Sequence, residues 1–99
     1  MSGRRSSVWH VPDAYVYILR CRDGSLYTGW TVDLEKRVST HNSGKGGRYT
    51  RSRLPVKLFA SLELNDKSAA RREEARVKAL RRPEKLALAK SWPVPPQAV

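Results

Sequence analysis

Hydrophobic and polar positions along the chain change their period several times, and each change predicts a new secondary-structure element. Residues 15–19 are aromatic and β-branched, which is the composition of a strand. Residues 26–31 have the same character and follow a turn signal at residues 22–25, so the two segments predict a hairpin. Residues 56–62 predict a third strand.

Helical periodicity begins after the hairpin. Leu34, Val38 and His41 recur at i, i+4 and i+7, which places them on one stripe of an amphipathic helix. Thr31 is the expected N-cap of this helix. Residues 44–53 contain three glycines and four cations, and they predict the loop that follows it.

Two further helices follow the third strand. Asn65 or Asp66 caps the first of them, which runs to about residue 82, and Pro83 begins a last helix that ends near residue 90. The predicted order is therefore ββαβαα. Strands and helices that alternate this irregularly predict an α+β fold, with a small three-stranded antiparallel sheet flanked by three helices.

The chain has 99 residues, which is enough for one domain with a thin core. We assign that domain to residues 13–91, between a flexible basic tail at 1–12 and a proline-rich tail at 92–99. No stretch approaches the roughly 18 consecutive apolar residues that a membrane span needs. The N-terminus lacks the apolar run of a secretory signal, and the single cysteine fits a reducing cytoplasm, which is the expected location.

Charge narrows the class of partner. Lys and Arg total 20 against 9 Asp and Glu, which leaves a formal net charge of +11. This charge favours a polyanion such as nucleic acid, because cations that bind phosphates release condensed counterions.

The sequence lacks zinc-site spacing and the carboxylate cluster of a two-metal nuclease. Adjacent Glu73 and Glu74 do not form such a cluster, since neighbours on a helix diverge by about 100°.

What remains is a pair of tyrosines on the hairpin strands, an Arg and a His one helical turn apart, and a basic glycine-rich loop. In this order they resemble the GIY-YIG nuclease superfamily, in particular its short single-domain bacterial members, and are similar to the catalytic domain of structure-selective junction nucleases. The likeness covers residues 14 to 90. The matching segments are Tyr15-Val16-Tyr17, Tyr27-Thr28-Gly29, Arg37 with His41-Asn42, the loop 43–50 and Glu74-Ala75-Arg76-Val77-Lys78.

The resemblance implies a metal-dependent endonuclease that hydrolyses phosphodiester bonds in DNA, in repair or in the processing of branched or single-stranded DNA. Glu74 would hold one Mg²⁺ or Mn²⁺ ion, with water and phosphate oxygens as the other ligands. Tyr17 would be the base, with a phenol pKa that nearby positive charge must lower, or would orient the attacking water. Arg37 would pair with the scissile phosphate. His41 would hydrogen-bond Tyr17 or the leaving group, and Tyr27 would shape the site.

A shared site for both tyrosines requires a particular hairpin register. A tight two-residue turn would send Tyr17 and Tyr27 to opposite faces of the sheet, because side chains alternate along a strand. A bulge at Gly24 shifts the register by one residue and places Tyr17 opposite Gly29. The resemblance therefore predicts a bulged hairpin.

The basic loop is the expected DNA contact, because glycines let backbone N–H groups approach phosphate and the cations add charge. Its cations are Lys45, Arg48, Arg51 and Arg53. The expected partner is DNA with flaps, branches or single strands. RNA stays open as a substrate, as does a protein partner that supplies specificity.

Each site residue also has a structural interpretation. Aromatic residues on strands are usually core residues, and Glu74 with Lys78 is an ordinary i, i+4 ion pair. Helical periodicity does not choose between Glu73 and Glu74, so only the resemblance selects Glu74. The alternative function is a non-catalytic nucleic-acid-binding module that retains the fold. The combined Tyr, Arg, His and Glu set favours the enzyme, because a binding module does not need a carboxylate beside phosphate.

Overall fold

A computed structural model describes residues 12–93, which form three strands and four helices. In chain order these are β1 (Ala14–Arg20), β2 (Leu26–Thr31), α1 (Leu34–Asn42), α2 (Arg48–Arg51), β3 (Lys57–Leu64), α3 (Lys67–Lys78) and α4 (Arg82–Ser91). The predicted α+β class and three-stranded antiparallel sheet are confirmed. The predicted tails, residues 1–12 and 92–99, lie almost entirely outside the described residues.

The sheet has the strand order β2-β1-β3, so β1 is the central strand and is covered on both faces. On one face, Tyr17 and Leu19 pack with Leu34 of α1. We call this the tyrosine face. On the opposite face, Ile18 packs with Val77 of α3. Burying a side chain as large as Ile18 contributes about 1.5–3 kcal/mol, so the central strand anchors the helices on both sides.

The β1–β2 hairpin contains the predicted bulge. Its register pairs Tyr17 with Gly29. The turn is closed by a 2.9 Å hydrogen bond from the Gly24 N–H to the Cys21 carbonyl. Gly24 has a φ of +86°, a conformation that residues with a side chain rarely adopt. The extra residue in the turn places Tyr17 and Tyr27 on the same face of the sheet, as the resemblance predicted.

Helix α1 begins at Leu34, the first residue of the predicted stripe, but its N-cap is not the predicted one. Its N-cap is Asp33, whose carboxylate accepts the Lys36 N–H at 3.1 Å, and not Thr31. Thr31 is the last residue of β2, and its hydroxyl accepts the Asp33 N–H at 3.2 Å. Asp33 caps the helix in place of Thr31 because the strand pairing continues through Thr31.

The segment predicted as a loop contains α2, so the fold has four helices where the sequence predicted three. The single turn of α2 is closed by a 3.0 Å hydrogen bond from the Arg51 N–H to the Gly47 carbonyl. No glycine or proline lies inside the turn, so nothing in the backbone opposes it. Because glycines precede α2, the sequence predicted a loop in this segment and not a helix.

The break between the last two helices also comes earlier than predicted, because α3 ends at Lys78. The Glu84 carboxylate accepts the Arg81 N–H at 2.8 Å and starts α4, with Pro83 in its first turn.

Trp92, which the sequence assigned to the tail, packs against the face opposite the tyrosines. Across residues 12–93, no helix has the length and apolar character that crossing a membrane requires.

We expect Gly24→Ala to lower the free energy of unfolding by about 1–2 kcal/mol, because a left-handed conformation costs an L-residue that amount. The added methyl group would meet nothing within 4 Å, so the loss is conformational and not steric. Denaturant unfolding measures it. Arg22→Ala, at an exposed position of the same turn, is the control and should stay within about 0.5 kcal/mol of the parent chain. Equal stabilities of the two variants would contradict this account of the bulge.

Candidate active site

Three rings meet on the tyrosine face, from Tyr17 of β1, Tyr27 of β2 and His41 of α1. Tyr17 Oη lies 3.1 Å from His41 Nε2, in a buried hydrogen bond. The ring centroids of Tyr27 and His41 are 5.3 Å apart, and those of Tyr17 and Tyr27 are 6.5 Å apart. The bulged register allows this arrangement, because it makes Tyr27 the diagonal neighbour of Tyr17 across the strand pair.

Gly29 leaves the space that the ring of Tyr17 occupies. It lies opposite Tyr17 on β2, and a Cβ atom at this position would come within 2.5 Å of Tyr17 Oη. Any side chain here would push the phenol away from His41. Steric exclusion by the Tyr17 ring therefore explains why the second half of the motif has a glycine at this position.

His41 is almost fully buried, with 1 % of its surface exposed, and both of its ring nitrogens have partners. Nε2 meets Tyr17, and Nδ1 lies 2.8 Å from Thr50 Oγ1. The Thr50 hydroxyl reaches the Gly47 carbonyl at 3.5 Å, and a carbonyl can only accept. We therefore assign the proton of neutral His41 to Nδ1, which donates to Thr50. Nε2 is then free to accept from the Tyr17 hydroxyl.

Burial sets the protonation states along this line of hydrogen bonds. It raises the pKa of the Tyr17 phenol well above its ordinary range, and the neighbouring Tyr27 adds to the rise. The charge of Arg37 lowers the pKa of Tyr17 but does not cancel the effect of burial. Burial lowers the pKa of His41, and Arg37 lowers it further. The resting pair at neutral pH is a protonated phenol that donates to a neutral imidazole.

The structure separates the two adjacent glutamates of α3. Glu74 Oε2 pairs with Lys78 Nζ at 3.0 Å, and its charge contributes to the raised pKa of Tyr17. Glu73 pairs instead with Arg76 at 2.5 Å. Helical periodicity left this choice open. The charge of Glu74 acts on the pKa of Tyr17, whereas Glu73 is not among the groups that shift it.

Arg37 is a half-exposed cation at the edge of the same cluster. Three ion pairs are present within residues 12–93, and none of them includes Arg37. Its charge nevertheless lowers the pKa of both Tyr17 and His41. The guanidinium is therefore available to an anion that enters the site.

The donor set fits a single divalent ion held by one carboxylate. The described part of the chain holds no group of three or more His, Cys, Asp or Glu side chains that could chelate a metal. Glu74 offers hard carboxylate oxygens, which suit Mg²⁺ or Mn²⁺ when water and phosphate oxygens complete the shell. The Lys78 ammonium already lies against this carboxylate, so the position accommodates a cation, and an incoming metal ion would displace it.

The four cations predicted to contact DNA divide into two groups. Lys45, Arg48 and Arg51 are exposed on α2 and the loop that precedes it. Arg53 is partly buried, with its guanidinium 3.9 Å from the centroid of the Tyr49 ring and its Nε 3.2 Å from an Asp23 carboxylate oxygen. Arg53 therefore ties α2 to the hairpin turn, while the side chains of the other three are exposed to solvent.

Three residues of the site have roles that sequence reasoning did not predict. Thr50 anchors His41, and the Tyr49 ring stacks on Tyr27 with centroids 5.9 Å apart. Asn42 fixes the end of α1, since its side-chain amide donates to the Val56 carbonyl at 3.0 Å and accepts the Val56 N–H at 2.7 Å. Thr50 and Tyr49 belong to the loop that resembles the family. Their contacts depend on α2, which the sequence did not predict.

The contact between His41 and Thr50 can be tested by an isosteric pair of substitutions. Thr50→Val keeps the shape but removes the acceptor for the Nδ1–H, and an unsatisfied buried donor costs about 1–3 kcal/mol. Thr50→Ser keeps the hydroxyl and should lose less. Denaturant unfolding compares the two, and ¹⁵N NMR of the imidazole reports whether Nδ1 carries the proton. Equal losses in both variants would show that the hydroxyl does not anchor His41.

His41 should make stability depend on pH. Because burial lowers its pKa in the folded chain, the unfolded chain takes up a proton more readily below the ordinary value of 6.5. The free energy of unfolding should therefore fall as the pH decreases from about 7.5 to about 5.5, and His41→Gln should remove this part of the fall. Unfolding curves across that range measure it. An undiminished fall in His41→Gln would assign it to other groups.

Residues 13–87 match the GIY-YIG catalytic domain family. A UPF0213 protein of Streptococcus agalactiae is 55 % identical over 73 residues, which cover 74 % of this chain and 83 % of that protein. A UPF0213 protein of Syntrophus aciditrophicus is 52 % identical over 80 residues, which cover 80 % of this chain and 92 % of that protein. The solution NMR structure of a UPF0213 protein from Bacillus halodurans aligns with a TM-score of 0.51 at 48 % identity, over 78 % of this chain and 82 % of that one. The resemblance drawn from the motifs is thus confirmed, and the chain belongs to the GIY-YIG family.

Proposed function

We propose that this chain is a divalent-metal-dependent endonuclease that hydrolyses phosphodiester bonds in DNA. The proposal is supported chiefly by the continuous line of hydrogen bonds from Tyr17 through His41 to Thr50. Beside it lies Arg37, which has no carboxylate partner in the described part of the chain. Buried polar chains are costly where only packing is needed, and perturbed titratable groups cluster at functional sites.

The line of hydrogen bonds supplies a route for a proton. As a water oxygen attacks phosphorus, the water gives a proton to Tyr17 Oη while Tyr17 passes its own proton to His41 Nε2. The imidazolium that forms keeps its Nδ1–H on Thr50. The bond from phosphorus to the leaving oxygen breaks, and that oxygen takes a proton from solvent.

This route is an alternative to the sequence-based hypothesis that positive charge pushes Tyr17 toward a phenolate. Positive charge near Tyr17 was expected to lower its pKa, yet the effect of burial exceeds that of Arg37. A phenol that hands its proton to His41 as it receives another does not need to ionise beforehand. The low pKa of His41 keeps the imidazole neutral and able to accept at neutral pH.

The phosphate needs positive charge as well as a nucleophile. Arg37 would offer its planar guanidinium to two phosphate oxygens. Glu74 would hold Mg²⁺ or Mn²⁺, and the bound ion supplies Lewis-acid neutralisation of the phosphate charge. Lys78 would then lose its partner Glu74 and remain as a second cation at the edge of the site.

The substrates proposed are branched, flap or single-stranded DNA, in repair or related processing. The exposed cations Lys45, Arg48 and Arg51 would contact phosphates, and phosphate contacts position a nucleic acid without reading its bases. Selection would then follow the shape of the nucleic acid, or a protein partner that presents it.

The alternative is a binding module without catalysis, and one observation favours it. Tyr17 is only 2 % exposed, so its hydroxyl serves His41 and meets little solvent. In an enzyme, substrate and water must reach that hydroxyl. A binding module would use the surface cations alone.

Cleavage assays with matched glutamate variants decide between the two functions. Purified protein is incubated with labelled single-stranded, duplex, flap and branched DNA in Mg²⁺, Mn²⁺ or EDTA. Tyr17→Phe and Glu74→Gln should each lower the cleavage rate by about 100-fold or more, the scale of a lost general base or charge-stabilising group. Glu73→Gln is the control, because Glu73 forms an equivalent ion pair on the same helix and should keep activity.

Unfolding curves of all variants exclude simple loss of the fold. Cleavage that needs a divalent ion and disappears in Tyr17→Phe and Glu74→Gln supports the enzyme. Salt-sensitive DNA binding without cleavage, the same in every variant, would leave the binding module.

A further inference from the structure

A cavity of about 220 Å³ opens beside the candidate active site, between the hairpin turn, α2 and α4. Its wall combines cations, an aromatic ring and aliphatic side chains. The lining residues are Ser25, Leu26, Tyr49, Leu80, Arg82 and Lys85. Apart from Tyr49, which stacks on Tyr27, none of them belongs to the site described above.

The cavity carries positive charge that the described residues do not neutralise. Neither Arg82 nor Lys85 takes part in the three ion pairs found within residues 12–93. Lys85 is partly buried, and burial together with the nearby charge of Lys78 lowers its pKa. Lys85 is thus a partly buried charge without a counterion among the described residues, which costs stability, whereas Arg82 is exposed. A bound anion would remove that cost.

Arg82 is held in place at the cavity. One guanidinium N–H donates to the Gly24 carbonyl at 2.6 Å, which ties the start of α4 to the hairpin turn. A guanidinium has five N–H donors, so the other donors remain for a ligand. An oriented cation of this kind is suited to phosphate oxygens.

The cavity lies next to the reacting groups along a row of rings. Tyr49, which forms part of its wall, stacks on Tyr27 with centroids 5.9 Å apart. Tyr27 lies 5.3 Å from His41 between centroids. A strand bound across the active site would therefore reach the cavity with a neighbouring nucleotide.

We propose that this cavity is a second phosphate subsite, in which Lys85 and Arg82 bind the phosphate of a nucleotide near the one that is cut. The proposal rests on the nuclease function proposed above. The aliphatic side chains of Leu26 and Leu80 would face the sugar, and Tyr49 would separate the subsite from the active site. Internal phosphodiesters and terminal phosphates present the same oxygens to these cations.

Lys85→Gln is the main test, because Arg82 also supports the hairpin and its variant can disturb folding. Binding to a fluorescent oligonucleotide is measured in EDTA, so that no cleavage occurs, over a series of salt concentrations. Lys85→Gln should bind roughly 5- to 10-fold more weakly, with a salt slope reduced by about one. Lys85→Arg should retain binding. Lys90→Gln is the control, since Lys90 lies exposed on the same helix outside the cavity.

A second measurement locates the phosphate. Neutral methylphosphonate linkages are placed one at a time on either side of the cleaved bond, and oligonucleotides with and without a terminal phosphate are compared. Neutralising one flanking phosphate should weaken binding by the parent chain and by Lys90→Gln. It should leave binding by Lys85→Gln unchanged. Sensitivity at an internal linkage identifies a phosphodiester, whereas sensitivity only to the terminal group identifies a strand end.

The outcomes separate the subsite from the proposed function. If Lys85→Gln and Lys90→Gln bind alike and share one methylphosphonate pattern, the subsite is wrong while the nuclease function stands. If the parent chain does not cleave, the nuclease function fails, and the binding comparison still decides whether Lys85 contacts phosphate.

Discussion

The one-residue bulge in the β1–β2 hairpin is the constraint on which the rest of the site depends. Side chains alternate along a strand, so a slip of one residue would turn Tyr27 and Gly29 to the opposite face. Tyr17 would then lose the side-chain-free space that Gly29 provides, and Tyr27 would leave the neighbourhood of His41. The bulge needs a residue with positive φ, and Gly24 supplies it. A backbone conformation four residues from β1 thus determines which side chains share a face.

The second requirement is a buried imidazole with both nitrogens occupied. His41 lies between Tyr17 and Thr50, and each contact comes from a different element of the fold. A buried donor or acceptor without a partner costs about 1–3 kcal/mol, so the three residues hold one another in a single arrangement. Asn42 fixes the end of α1 through the backbone of Val56, which keeps the imidazole in place.

Repulsion between positive charges lowers the stability of the fold, and a bound polyanion would reduce this repulsion. The net charge is +11, and the cations around the site exceed their carboxylate partners within the described residues. Glu74 offsets one of them by pairing with Lys78. Arg37 and Lys85 have no such partner among the residues that the structure describes, and self-repulsion of this kind lowers stability. Phosphate would neutralise both, so substrate binding and relief of repulsion would come from the same contacts.

The sequence alone determined the strands, three of the helices and the family, because local composition, periodicity and motif order carry that information. It also predicted the bulge, since two tyrosines of one motif can share a face in only one of the two registers considered. Tertiary structure decided the rest. Helical periodicity did not separate Glu74 from Glu73, because neighbours on a helix have the same local sequence environment, whereas in the folded chain the charge of Glu74 acts on Tyr17. Only packing stabilised α2, through the contacts of Tyr49 and Thr50 with distant rings. The protonation of Tyr17 likewise depends on burial, which is a property of the folded chain and is not encoded by any single residue.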